Sequence, residues 1–130
     1  VNREVFTLGR TRYDIDKFER MVQQKPDKWR SRLRVDDSYV AFAQKLIRID
    51  WERIRTMKPE EAVKPLFAIQ LSDRKSMLIV DGYHRMLRGW QDGRQVFDCY
   101  VLPFRHVHRI VLQENHREHY RDRRGFPHRV

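Results

Sequence analysis

Residues Ile79–Gly93 read IVDGYHRMLRGWQDG, and the fold turns on how this stretch is parsed. An apolar run, Met77–Val80, meets Asp81-Gly82, where a glycine lets the chain reverse with no Cβ in the way. Beyond the turn Tyr83, Leu87 and Trp90 recur at i, i+4 and i+7, which predicts a helix over Tyr83–Asp92. Gly93 suits its left-handed end. A helix opening at such a turn presents free backbone N–H groups and the positive end of its dipole, a geometry that suits phosphate oxygens. Two side chains able to carry positive charge, His84 and Arg85, stand in that first turn. Cations there oppose the dipole by roughly 0.3–1 kcal/mol each. An anionic ligand removes the conflict. Arg85 offers a planar fork, His84 a donor or a proton, and Asp81 an oxygen to orient His84 or to help hold Mg²⁺. The structural alternative is an ordinary turn in which Asp81 caps the helix and pairs with Arg85.

Working outward, Leu66–Leu71 and Met77–Val80 flank SDRKS and read as a hairpin, and Phe97–Leu102 reads as a third strand halted at Pro103. Strand, helix, strand in this order predicts a crossover onto a mixed sheet with the helix over one face. Val5–Leu8 reads as a short strand and Tyr13–Gln24 as an amphipathic helix, capped by Asp14 or Asp16 and stopped by Lys25-Pro26-Asp27. Lys28–Arg34, KWRSRLR, is expected as a solvated helix anchored by Trp29 and Leu33. The second reading makes Arg30, Arg32 and Arg34 contacts to phosphates and bases. From Ser38 a helix passes into a strand at Lys45–Ile49; Asp50 then caps a helix Trp51–Met57, which ends before Lys58-Pro59. The polar tail is predicted helical to about Arg121. The expectation is one α+β domain over 1–130, a small mixed sheet flanked by helices. It carries a basic N-terminal extension to about residue 44 and a basic, His-rich tail from about 105.

No run of about 18 apolar residues exists to span a membrane. The start, VNREVF, has no apolar signal core and no initiator Met, which suggests a trimmed chain or a fragment. The single cysteine, Cys99, excludes an internal disulfide and any cluster built on several cysteines, and a reducing cytoplasm is the simplest setting. The net charge of +10 points to a polyanionic partner, with nucleic acid the usual one. That charge sits on the flanks: residues 59–104 hold 6 Lys/Arg against 6 Asp/Glu, while residues 1–58 hold 15 against 9. The tail adds Arg117, Arg121 and Arg123 as further nucleic-acid contacts. Its histidines, His106, His108, His116 and His119, have spacings that could contribute metal ligands, but with no cysteine beside them they are read as part of a solvated basic helix, and no metal site is assigned.

The span from Val63 to Pro103 resembles the core of the ParB/sulfiredoxin superfamily: a strand, a Gly-x-(His/Arg)-Arg turn, a short helix with small residues, a glycine and another strand. Upstream, LIRIDWERIRTM (Leu46–Met57) resembles more loosely the strand and helix that precede the hairpin. The resemblance implies nucleotide binding at Gly82, Tyr83, His84 and Arg85, with Arg53 and Thr56 as the nearest matches to a Lys and a hydroxyl that sulfiredoxins offer from the upstream helix. Sulfiredoxins carry cysteine where this chain has Tyr83, so sulfinic-acid reduction is not expected, and Cys99 reads as a small core residue. The chromosome-partitioning branch carries Gly-Glu-Arg-Arg and a further DNA-binding domain, for which this chain has no room. The free-serine kinase branch uses a DG-x-HR turn, which DGYHR matches, and implies a catalytic carboxylate at Asp50 or Glu52. A branch of plasmid fertility-inhibition and nuclease-like proteins fits the basic flanks best.

The resulting expectation is a protein that binds ATP or another nucleoside triphosphate, with Mg²⁺ as an accompanying cation, and acts on DNA as a hydrolase or nuclease in a plasmid or conjugation setting. A protein of a DNA-transfer or partition system is an accompanying partner. A small-molecule phosphotransferase and a non-catalytic interaction module are the alternatives.

Overall fold

The apolar run before Asp81 pairs with the one before SDRKS, and the rest of the chain packs around that hairpin. A computed structural model describes residues 4–72, 76–113 and 127–129. Strand β1 (Val5–Leu8) turns back into β2 (Thr11–Asp14), and α1 (Ile15–Gln24) follows directly. Next come a single turn α2 (Pro26–Trp29), strand β3 (Arg30–Arg34), α3 (Asp37–Leu46), α4 (Trp51–Thr56) and a second short turn α5 (Pro59–Ala62). The hairpin is β4 (Leu66–Gln70) and β5 (Met77–Asp81). It leads into α6 (Tyr83–Gln91), β6 (Val96–Leu102), α7 (Phe104–Val107), a 3₁₀ turn over His108–Ile110, β7 (Val111–Gln113) and β8 (His128–Arg129).

Among the described residues two sheets form, one ordered β1-β2-β7 and one ordered β5-β4-β6-β3-β8. In the larger sheet β4 runs parallel to β6 and antiparallel to β5, and β6 runs antiparallel to β3. The sheet is therefore mixed, and the α6 crossover steps over β4 to reach β6. Helix α6 buries Tyr83, Met86, Leu87 and Gly89. Gly89 permits the close approach: a Cβ there would stand 2.5 Å from the Phe97 ring on β6. Arg88 ties α6 to the end of α4, donating from one guanidinium nitrogen to the carbonyls of Ile54 at 2.9 Å and Met57 at 3.1 Å. The Ile54 carbonyl already accepts from the Met57 N–H at 3.4 Å, and the arginine adds a second, charged donor at this helix end. Among the described residues no helix is long and apolar enough to cross a membrane.

Several elements differ from expectation. Tyr13 and Asp14 belong to β2, with Asp14 accepting from the Lys17 N–H as the cap of α1. KWRSRLR is not a helix. Trp29 ends α2, and Arg30–Arg34 is a strand held between β6 and β8. Trp29 and Leu33 are spaced for a helix, but Arg30, Arg32 and Arg34 alternate outward around the buried Leu33 with the period of a strand. Lys45–Ile49 is not a strand either, because α3 runs to Leu46 and buries Tyr39, Val40 and Ala43 at helical spacing. The tail after Val107 tightens into a 3₁₀ turn and then pairs Val111 with Tyr13, so Val111 and Leu112 are strand residues. The remainder of the predicted tail helix lies outside the described residues.

Candidate functional site

Gly82 caps α6 with φ 99° and ψ 22°, the left-handed region that only glycine enters freely. A Cβ there would also meet Leu66 Cδ2 at 2.7 Å and the Arg85 guanidinium at 2.9 Å. Among the described residues no side chain caps the helix, so its first N–H groups are offered to whatever approaches the turn. Of the structural alternative, the capping by Asp81 is not taken up, whereas its pairing with Arg85 is: the two lie 3.6 Å apart, with side chains mostly enclosed.

Tyr83 turns inward. Its hydroxyl lies 2.8 Å from that of Tyr39, which also accepts from the Ile79 N–H at 2.9 Å. Burial pushes both phenols well above the ordinary tyrosine range. The Tyr83 side chain is therefore committed to the core, and its backbone N–H is what it can offer a ligand. His84 points the other way, toward the start of α4, where its Nε2 accepts from the Asp50 N–H at 3.0 Å. An accepting Nε2 fixes the neutral imidazole with its proton on Nδ1. Desolvation, and then the Arg53 charge, hold its pKa below the usual histidine value, with Asp50 acting the other way.

Around the turn lies an open cavity of about 480 Å³. Arg48, Arg53, Lys64 and Arg85 line it with positive charge, against Glu4, Glu61 and Asp81. Each cation comes from a different segment, so the flanks and the neutral centre of the sequence meet here. At one side the carboxyl oxygens of Glu4, Glu19 and Asp81 lie within 4.8 Å of one another, the group among the described residues whose ligand chemistry and spacing suit a cation. Desolvation, followed by repulsion from Asp81 and Glu19, pushes Glu4 up to about 7; Glu19 is raised by desolvation and by Asp81.

The residues singled out from sequence divide into three groups. Asp81, Gly82, Tyr83, His84, Arg85 and Arg53 all line the turn cavity. Asp50, Glu52 and Thr56 lie on or beside α4 with their side chains engaged locally. The Asp50 carboxylate accepts from the Arg53 N–H, Glu52 pairs with Arg55, and the Thr56 hydroxyl donates to the Glu52 carbonyl at 2.8 Å. Arg30, Arg32 and Arg34 share the exposed face of β3, well apart in sequence from the turn. Arg117, Arg121 and Arg123, with His116 and His119, lie outside the described residues. His106 packs edge-on against Trp29 and accepts at Nε2 from Arg105. Cys99 is buried with its thiol pushed up to about 12, mainly by desolvation, as suits a small core residue.

Sequence reasoning missed Glu4, Arg48, Glu61 and Lys64. Arg48 was within reach, because LIRID precedes the helix whose cap meets His84. Lys64 and Glu61 had no local signal, since only the α5–β4 turn brings them to the cavity. Glu4 had none either, because its place depends on the pairing of β1 with β2. No protein-family model, curated protein or solved structure matches the chain.

Proposed function

We propose that this chain is a nucleotide-binding domain of the ParB/sulfiredoxin type that binds ATP or another nucleoside triphosphate at Gly82–Arg85 and acts on DNA by nucleotide hydrolysis, strand cleavage or both. The supporting observation is the uncapped, glycine-led start of α6 opening into a cavity edged by Arg48, Arg53, Lys64 and Arg85. Phosphate oxygens satisfy the free N–H groups of the turn and replace Asp81 as the partner of Arg85. His84 donates from Nδ1 or exchanges a proton, its Nε2 being held by Asp50. Mg²⁺ beside the phosphates would draw on the Asp81 and Glu4 carboxylates, and would supply a charge that offsets those of the phosphates. The local engagement of Asp50 and Glu52 weakens the small-molecule phosphotransferase reading, which needs one of them as a base at the cavity. Action on DNA is supported by the +10 charge and the exposed arginines of β3. The plasmid and conjugation setting rests on the resemblance alone.

Titration calorimetry with ATP, CTP and GTP, with and without Mg²⁺, tests the reading. Wild-type protein binds at least one of them, and Arg85→Ala weakens that binding by about 1.5–3 kcal/mol through loss of a charge-assisted pair. Unchanged affinity in a variant that is folded by circular dichroism would remove Arg85, and with it the turn, from the proposal.

A further inference from the structure

A second cavity, of about 330 Å³, opens where β6 begins and β4 has not yet joined it. Arg32 from β3, Lys64 from the turn before β4, and Arg94 from the turn after α6 line it, together with Val63, Val96, Phe97 and Asp98. Three cations from three separate segments face one carboxylate among the described lining residues. That carboxylate, Asp98, already lies 3.7 Å from Arg30, which is outside the lining. Among the described residues neither Arg32 nor Arg94 makes a salt bridge. Arg94 is also preset, because its guanidinium stacks over the Phe97 ring at 5.5 Å and its N–H is fixed to the Gly89 carbonyl at 2.8 Å. A planar fork held by stacking loses less freedom on meeting a phosphate than a free side chain would. Lys64 lines this cavity and the turn cavity both, so the two are adjacent.

We propose that the cavity formed by Arg32, Lys64 and Arg94 is a phosphate subsite for a nucleic-acid strand lying along the exposed face of β3. The inference rests on the DNA-acting part of the function proposed above and not on a nucleotide at the turn. The two cavities have different chemistry. The turn offers backbone N–H groups and a proton-exchanging histidine; this one offers side-chain cations around one carboxylate, with Lys64 also paired to Glu61 at 2.9 Å and the two arginines without such a pair among the described residues. That is the equipment for holding a backbone in place without reading its bases. The strand's phosphates enter here while Lys64 marks the boundary with the turn cavity.

Fluorescence anisotropy with a labelled single-stranded oligonucleotide and its duplex, across a range of salt, tests this. Arg32→Gln and Arg94→Gln each weaken oligonucleotide binding about tenfold for all sequences alike, the expected scale for one charge-assisted contact. Each also flattens the salt dependence by roughly 0.7 for single strands or 0.9 for duplex per lost phosphate contact. Lys17→Gln, an exposed cation on α1 outside both linings, leaves binding unchanged. Arg32 is exposed on its strand, so its variant reports even if Arg94→Gln disturbs the packing on Phe97. ATP affinity, measured in parallel, stays at the wild-type value in Arg32→Gln. Oligonucleotide binding that ignores both substitutions overturns the subsite while leaving the turn proposal standing. A wild-type protein that binds no oligonucleotide overturns the subsite and the DNA-acting reading together, and the parallel ATP titration then judges the turn on its own. Loss of ATP binding in Arg32→Gln alongside oligonucleotide loss would contradict two separate cavities.

Discussion

At the turn, Arg85 has a side chain only 12% exposed, paired with Asp81 and set against a glycine that lets it close in; on β3, Arg30 is 51% exposed and holds Asp98 loosely. Both regions are cationic, yet one is a shaped recess backed by the core and the other an open stripe. The recess changes chemistry: desolvation drives half-buried His84 toward neutrality, and at its exposed rim desolvation together with the Asp81 and Glu19 charges drives Glu4 toward protonation. Exposure leaves charge and little else. The comparison teaches that the overall basic balance of the sequence says where polyanions are attracted, whereas burial decides where one is recognised.

The sharpest way to break this comparison is through catalysis. His84→Gln keeps an acceptor for the Asp50 N–H but cannot exchange a proton. If the turn is catalytic, turnover falls about 10²–10⁴-fold while nucleotide affinity stays near wild type. A variant that turns over normally takes His84 out of the chemistry. The next largest effect is on stability. Tyr39→Phe removes the acceptor of the buried Ile79 N–H and the partner of the Tyr83 hydroxyl, and costs about 1–3 kcal/mol in urea unfolding. Arg30→Gln with Arg34→Gln, on the exposed face, stays within roughly 0.5 kcal/mol. Equal costs at the two places would erase the distinction between recess and stripe.

How far the sequence carried this picture can be read from the same two regions. The turn was legible because its signals are local: an apolar run, a glycine needing positive φ, a helical period and a closing glycine. The hairpin, the α6 crossover and β6 followed for the same reason. KWRSRLR was not legible, because Trp29 and Leu33 fit a helix as well as they fit an anchor followed by a strand. The deciding fact is pairing with β6, some 65 residues away. The cavity shows the same limit. His84 and Arg85 could be named, since a helix start places them, but Glu4, Glu61 and Lys64 reach it through tertiary packing alone.

A smaller effect concerns acid. The native Glu4 carboxyl titrates near 7 in place of its ordinary 4.5, so between those values the unfolded chain has released a proton that the folded one still holds. Its contribution to stability is present below 4.5, declines through that window, and is gone above about 7. Glu4→Gln flattens the decline and raises stability at pH 8 by roughly 1 kcal/mol, discounted for the exposure of the group. Thermal melts from pH 4 to 8 measure it. A wild-type profile parallel to that of the variant would place Glu4 away from Glu19 and Asp81.

The central claim is that a nucleotide seats on the backbone at the start of α6. Amide chemical shifts followed by NMR during titration with ATP, CTP or GTP test it most directly. The account predicts that the N–H signals of Gly82, Tyr83, His84 and Arg85 move together and saturate, with the His84 ring titrating at higher pH once phosphate is bound, while those of Arg30–Arg34 stay in place. Shifts confined to β3, or none at the turn with any of the three nucleotides, would contradict it.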